Sequence, residues 1–208
     1  MPSEPSDHAA CLLEADGLRF ERHGEAIFQD VGLRMRAGGL LLILGPNGSG
    51  KTTLLRCLAG VIRPVRGTLH SDARRAFLGH RTGLKADLSC RENLEFIRRF
   101  HGPTGLDPNR ALARVGLAGF GLRLARTLSA GQGRRLGLAS LLVAHRPIWL
   151  LDEPYASLDD AGGQLVDELI AAHLEDGGSV ALSTHQRMPA LHAQARTLRL
   201  DTPRGDGS

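Results

Sequence analysis

A chain of 208 residues has room for one ordinary domain, or one with a lobe inserted into it, and can bury roughly 70% of its unfolded surface without disulfides or metal. Hydrophobic residues at 42% and charged residues at 23% exclude a protein that is disordered throughout and an integral membrane protein. The aromatic share of 4% argues against a nucleic-acid surface of stacked bases, and a formal charge of +4 spread along the chain points to no polyanionic partner. From residue 11 to 35, apolar residues at Leu12, Leu18, Phe20, Ile27, Phe28, Val31, Leu33 and Met35 alternate with polar turns such as Arg22-His23-Gly24. That pattern predicts short antiparallel strands with one wet face. After the turn Ala37-Gly38-Gly39, residues 40–44 are five consecutive apolar residues, the mark of a strand covered on both faces. A glycine-rich loop comes next, then a helix over 52–58 that stops near Gly60 with Pro64 beyond it. Two β-like pieces, 67–69 and 75–79, complete this part of the chain.

Residues 85–145 change character and read as helices over 91–100, 109–115 and 131–145, joined by links such as His101-Gly102-Pro103. Residues 148–151 are again a short buried strand, 165–174 a helix and 179–182 another strand. Strand, helix, strand order with buried runs predicts an α/β core with a parallel sheet. The expected organisation is a single domain over 1–208, with a core at about 12–84 and 146–200, an inserted helical lobe at about 85–145 and a disordered tail at about 201–208. Cys11, Cys57 and Cys90 are odd in number and widely spaced, so free thiols in a reducing compartment are expected. Residues 1–10 are polar and acidic, unlike a secretory signal. The longest uncharged apolar stretch, 136–144, falls far short of the ~20 residues of a spanning helix. The expectation is a cytosolic chain whose membrane role, if any, comes through a partner.

The strongest chemical signal is Gly45-Pro46-Asn47-Gly48-Ser49-Gly50-Lys51-Thr52-Thr53, a full GxxxxGK[ST] phosphate loop. Its glycines let successive N–H groups turn inward onto phosphate oxygens, and the helix after it adds its positive end. Lys51, one of only two lysines with Lys85, supplies a point charge for β- and γ-phosphates, and the Thr52 hydroxyl reaches Mg²⁺. The second signal is Ile148-Trp149-Leu150-Leu151-Asp152-Glu153. An apolar strand ending in two acids puts Asp152 at the carboxyl edge of the sheet, beside Mg²⁺, with Glu153 able to polarise an attacking water. The third is Leu128-Ser129-Ala130-Gly131-Gln132, succeeded by Gly133-Arg134-Arg135-Leu136, where Ser129 is also a plain helix N-cap.

With these motifs in this order, the chain resembles the ATP-binding cassette (ABC) family over about residues 12–200. The resemblance implies a P-loop NTPase core with a parallel sheet, an N-terminal antiparallel β subdomain and an inserted helical lobe. Residues 128–132 resemble the family's signature sequence, with Ala130 in place of its first glycine. Ser157-Leu158-Asp159 resembles the D-loop, and Ser183-Thr184-His185 the loop of the switch histidine. The resemblance further implies an ATPase using ATP and Mg²⁺, with Glu153 and His185 catalytic and Thr52 and Asp152 at the metal. Two copies would dock head to tail, each ATP held between Lys51 of one copy and Ser129, Gly131 and Gln132 of the other.

Two departures stand out. His80 occupies the family's glutamine-loop position, and imidazole is a poorer Mg²⁺ ligand than a carbonyl oxygen. The adenine-stacking tyrosine expected near residue 22 is replaced by Arg22 and His23, with Phe20 nearby; Arg22 can stack as a planar cation or be an ordinary exposed loop arginine. The minimal length, the Leu78-Gly79-His80 segment, Leu128–Gln132 and a Thr184-His185-Gln186 ending resemble the haem-exporter ATPases of cytochrome c biogenesis. That resemblance implies a peripheral subunit on the cytoplasmic face of the bacterial inner membrane, working with haem-handling membrane proteins and no nucleic acid. Other ABC importers or exporters are the first alternative. Repair and translation ATPases of the superfamily are the second, disfavoured because the interval from Lys51 to Leu128 holds no long coiled coil and the chain carries a single cassette.

Overall fold

The computed structural model describes residues 9–185 and 187–201. Two 12-residue strands, β1 (Cys11–Arg22) and β2 (Glu25–Arg36), pair antiparallel, and β4 (Arg66–His70) joins β1 to complete a three-stranded sheet in the order β2-β1-β4. These strands are longer than the short ones expected from sequence. Their register shifts, for example between Ala15 and Leu18, interrupt the alternation that a regular strand would show.

The second sheet is built from β3 (Leu40–Leu44), β5 (Arg75–Leu78), β6 (Ile148–Asp152), β7 (Ser179–Ser183) and β8 (Arg196–Arg199), in the order β5-β6-β7-β3-β8, every pair parallel. Helix α1 (Lys51–Leu58) is joined to β3 through the glycine-rich loop. Helices α2 (Cys90–His101), α3 (Pro108–Arg114) and α4 (Ala130–Ala144) lie in sequence between β5 and β6, and α5 (Asp160–Glu175) between β6 and β7.

The central strands β3, β6 and β7 are buried at every position but Leu44, which is partly buried, and alternate residues feed two cores. Leu41, Ile43, Ile148, Leu150 and Ala181 pack with α1 and with β1 and β2 residues such as Leu13, Leu18 and Met35. Leu40, Leu42, Trp149, Leu151, Val180 and Leu182 pack on the opposite side with α4, α5 and the apolar faces of α2 and α3. Leu94, Leu112 and Leu138 thus share one continuous core with the sheet. Burying a leucine of this kind is worth about 2 kcal/mol.

Three local differences from the sequence expectation have plain causes. Helix α5 starts at Asp160, five positions early, because the Asp159 carboxylate caps the Gly162 N–H at 2.8 Å and makes a first turn containing Gly162 and Gly163 tenable. Strand β8, unforeseen, is an edge strand held by main-chain pairing to β3, with mostly exposed side chains that give no apolar signature. Helix α2 carries a reciprocal cap, Ser89 with Glu92, that extends it to Cys90. The tail assigned to 201–208 lies outside the described residues apart from Asp201, as does Gln186.

Candidate functional site

The loop between β3 and α1 is set by glycines with left-handed backbones. Gly45 has φ 152°, and a Cβ there would collide with the Leu200 carbonyl oxygen and sit 2.6 Å from Ser49 Oγ. Gly50, φ 94°, is the N-cap of α1, and its Cβ would lie 2.8 Å from Ile27 Cγ2. Both positions therefore admit only glycine without rearrangement. Pro46, Asn47 and Gly48 complete the turn, and the Ser49 N–H closes it on the Pro46 carbonyl at 3.2 Å. Ser49 is fully buried, and among the described residues its hydroxyl has no hydrogen-bond partner. Lys51 Nζ curls back over the loop and donates to the Gly45 and Pro46 carbonyls at 2.7 and 2.8 Å. Its charge thus stands over the loop formed by residues 45–50. Thr53 lies in the first turn of α1.

Strand β6 delivers the two acids as the buried-strand argument requires. Asp152 is 2% exposed, and its carboxylate accepts from Thr52 Oγ1 at 2.9 and 3.0 Å and from Ser183 Oγ at 2.8 Å. Ser183, the last residue of β7, has no role of its own in the sequence pattern; it also receives the Glu153 N–H on its hydroxyl at 3.1 Å and its carbonyl at 3.2 Å. Glu153 has φ 51°, a conformation uncommon for a non-glycine residue and frequent at functional sites. Its Oε1 lies 2.7 Å from His185 Nδ1, so with an ionised carboxylate the imidazole donates from Nδ1.

Residues 128–132 lead into helix α4. Ser129 caps α4: its Oγ accepts the Gln132 N–H at 3.2 Å, while Gln132 Oε1 accepts the Ser129 N–H at 3.0 Å. Ala130 and Gly131 make the first turn, and a Cβ on Gly131 would meet the Ser157 carbonyl at 2.8 Å, which accounts for glycine there. Asp159, two residues beyond Ser157, caps α5 and receives Arg135 Nη2 of α4 at 3.3 Å. The Gly162 N–H and the Arg135 charge hold the Asp159 carboxyl below its ordinary range.

The structure thus brings Lys51, Thr52, Asp152, Glu153 and His185 to one edge of the parallel sheet, where β3, β6 and β7 all end. Among the described residues, no side-chain hydrogen bond joins Ser129, Gln132 or His80 to that set. His80 is exposed just past β5. Arg22 is exposed at the end of β1, next to a hairpin turn at His23, and Phe20 packs 6.3 Å from Phe28 instead of lying open.

The donor chemistry also bears on a metal. Thr52 Oγ1 and the Asp152 carboxylate are hard oxygens in contact, suited to Mg²⁺, which takes one or two protein oxygens and completes its shell with phosphates and water. Among the described residues no cluster of three or more His, Cys, Asp or Glu is placed to hold a metal without such help.

A phosphate loop opening a helix, facing an acidic strand end across a parallel sheet, defines a P-loop nucleoside triphosphatase. The sequence pattern of the ABC transporter family matches residues 28–156, so the chain belongs to that family, and it is an ATP-binding ATPase that energises transport. It is 46% identical over 209 aligned positions to the cytochrome c biogenesis ATP-binding export protein CcmA of Xanthomonas axonopodis pv. citri, covering 95% of this chain and 98% of that one. The CcmA of Rhizobium johnstonii is 43% identical, with 88% and 92% covered, and that of Rhodobacter capsulatus 47%, with 84% and 81% covered. Among solved structures, an ATP-binding subunit of an ABC transporter superposes with TM-score 0.82 at 21% identity, over 91% of this chain and 85% of that one. A dimeric ATP-binding cassette in a post-hydrolysis state with ADP and Pi gives 0.81 at 23%, over 92% and 97%. At those identities the likeness is one of fold.

Proposed function

We propose that this chain is the ATP-hydrolysing subunit of a complex that exports or hands over haem for cytochrome c maturation. Its place would be the cytoplasmic face of the bacterial inner membrane, bound to haem-handling membrane subunits. No helix among the described residues is long and apolar enough to cross a membrane itself. The observation that carries the catalytic half of this reading is the contact chain Thr52–Asp152–Ser183 beside the Glu153–His185 pair. The relatives' names carry the cytochrome c half.

In this reading the N–H groups of residues 45–53 bind the phosphates, and Lys51 exchanges its loop carbonyls for β- and γ-phosphate oxygens. Thr52 and Asp152 hold Mg²⁺, which when bound neutralises charge on the β- and γ-phosphates. Glu153 orients the attacking water and accepts its proton. His185 is a switch that changes partner between the Glu153 carboxylate and the terminal phosphate. Residues 85–145 act as a helical lobe within the single cassette. Two cassettes dock head to tail, with Ser129, Ala130, Gly131 and Gln132 of one meeting the ATP held by the other; Ser129 and the N-terminus of α4 face the terminal phosphate, and Asp159 lies at the same junction. Hydrolysis removes that shared ligand and loosens the dimer.

The test is complementation of a bacterium lacking its cytochrome c biogenesis ATPase, read as covalently haem-loaded cytochrome c. The wild-type chain restores maturation, and Lys51→Ala does not. If the wild-type chain leaves maturation unrestored while the membrane subunits of another transporter stimulate its ATP hydrolysis, the reading as another importer or exporter takes its place.

A further inference from the structure

Helix α4 begins at the signature segment, with two adjacent arginines just beyond it. Arg135 turns outward to Asp159, whereas Arg134 is 4% exposed and turns into the protein. Among the described residues its guanidinium bonds to main-chain carbonyls only. Nη1 donates to Gly79 at 2.7 Å, Nη2 to Asp152 at 2.7 Å and to Glu153, and Nε to Pro154 at 3.2 Å. Burial lowers the guanidinium pKa, against the opposing pull of the Asp152 and Glu153 charges. A buried cation bonded to no acidic side chain is costly, and it keeps its place here through four carbonyl dipoles in the planar fork that arginine alone provides.

Those four carbonyls are not scattered. Three belong to the consecutive residues 152–154 and bracket the left-handed Glu153 (φ 51°), whose N–H is pinned from the other side by Ser183. A non-glycine residue persists at such a φ only where its surroundings over-determine it. The fourth belongs to Gly79, immediately before His80. The same face of α4 lies against that segment: a Cβ on Gly137 would sit 2.8 Å from Thr82 Cγ2 and 2.9 Å from Leu78 Cδ1.

We infer that Arg134 is a positioning residue for ATP hydrolysis. It fixes the main chain that aims the Glu153 carboxylate, and it ties that main chain to the His80 segment and to the helix that carries the signature. Movement of either one is thereby felt at Glu153. The inference rests on the reading of Glu153 as the residue that orients water.

The experiment compares Arg134→Lys, Arg134→Gln, Glu153→Gln and the double variant Arg134→Lys/Glu153→Gln as full-length chains with their membrane subunits. It measures kcat and KM for ATP together with thermal melting. Lysine keeps the charge but is a flexible point donor that cannot span four carbonyls. Misaiming the carboxylate by about 1 Å lowers kcat roughly 100-fold, so both Arg134 variants should lose between ten- and a hundredfold in kcat with KM changed less than about threefold. The double variant should be no slower than Glu153→Gln alone, because the two act through one group. Near-wild-type kcat in folded Arg134→Lys and Arg134→Gln, a rise in KM at unchanged kcat, or multiplying effects in the double variant would each overturn the inference. Failure of both single variants to fold assigns Arg134 a purely structural role and overturns it too. Normal turnover by Glu153→Gln removes the Glu153 reading itself, whereas an inactive Glu153→Gln beside an active Arg134→Lys removes only the part given to Arg134.

Discussion

Thr52 and Asp152, a hundred residues apart in the chain, meet with the threonine hydroxyl 2.9 and 3.0 Å from the two carboxylate oxygens. One comes from the first turn of α1 and the other from the end of β6, so the contact joins the phosphate loop to the acidic strand end. Partners that orient a metal ligand typically set metal affinity by about 10- to 100-fold. Asp152→Asn should therefore weaken Mg²⁺-dependent ATP binding by that factor while leaving metal-free nucleotide binding nearly unchanged. A Mg²⁺ titration of nucleotide affinity decides it, and equal loss with and without metal would count against the assignment.

The Glu153–His185 contact at 2.7 Å gives a prediction about the order of severity. Glu153→Gln should keep ATP binding but lose roughly 100- to 10,000-fold in turnover, since the amide neither orients nor deprotonates water as a carboxylate does. The variant should accumulate as an ATP-bound dimer, visible by size-exclusion chromatography. His185→Ala should lower turnover less. If His185→Ala proves the more damaging of the two, the imidazole carries more of the chemistry than the carboxylate.

His80 lies exposed one residue beyond the Gly79 carbonyl held by Arg134. His80→Ala should leave nucleotide and Mg²⁺ affinity within about twofold of wild type while lowering the turnover stimulated by the membrane subunits, because imidazole is a poor Mg²⁺ ligand. A large loss of Mg²⁺-dependent affinity with stimulation intact would reverse the assignment.

His173 supplies a pH dependence. Its ring stacks on Trp149 with centroids 3.9 Å apart, and burial lowers its pKa to about 4. The unfolded chain binds this proton below roughly pH 6.5, whereas the folded chain refuses it until about pH 4. Stability is therefore full above the unfolded value and is lost as pH falls through this window, by up to about 3 kcal/mol for this group. His173→Phe keeps an aromatic ring on Trp149 and removes the titration. Its melting temperature should fall less than that of wild type between pH 6.5 and 4, and parallel profiles would exclude His173 as the cause.

The residues that announced themselves in the sequence are those whose job is done by neighbours in the chain. Gly45 to Thr53 turn into a helix start along one continuous stretch of chain, although Leu200 and Ile27 also crowd Gly45 and Gly50, and the Ser129–Gln132 cap is closed within one turn. Residues 40–44 and 148–151 are apolar at every position because both faces of the parallel sheet are covered. Strand β8 had no such signal, since main-chain pairing to β3 holds it and main-chain pairing leaves no mark on side chains. Ser183 read as part of a histidine loop, yet its hydroxyl joins Asp152 to the Glu153 N–H. Arg134 and Arg135 are the same residue type side by side, and nothing local separates them. One helical step, about 100° of rotation, sends one guanidinium to Asp159 and buries the other among the carbonyls of Gly79, Asp152, Glu153 and Pro154. Motif and periodicity fixed the phosphate loop, the acidic strand end and the α/β class, because those rest on short-range geometry. Only the packing of α4 against β5 and β6 decided which arginine would hold Glu153, because that choice depends on carbonyls supplied by segments distant in the chain.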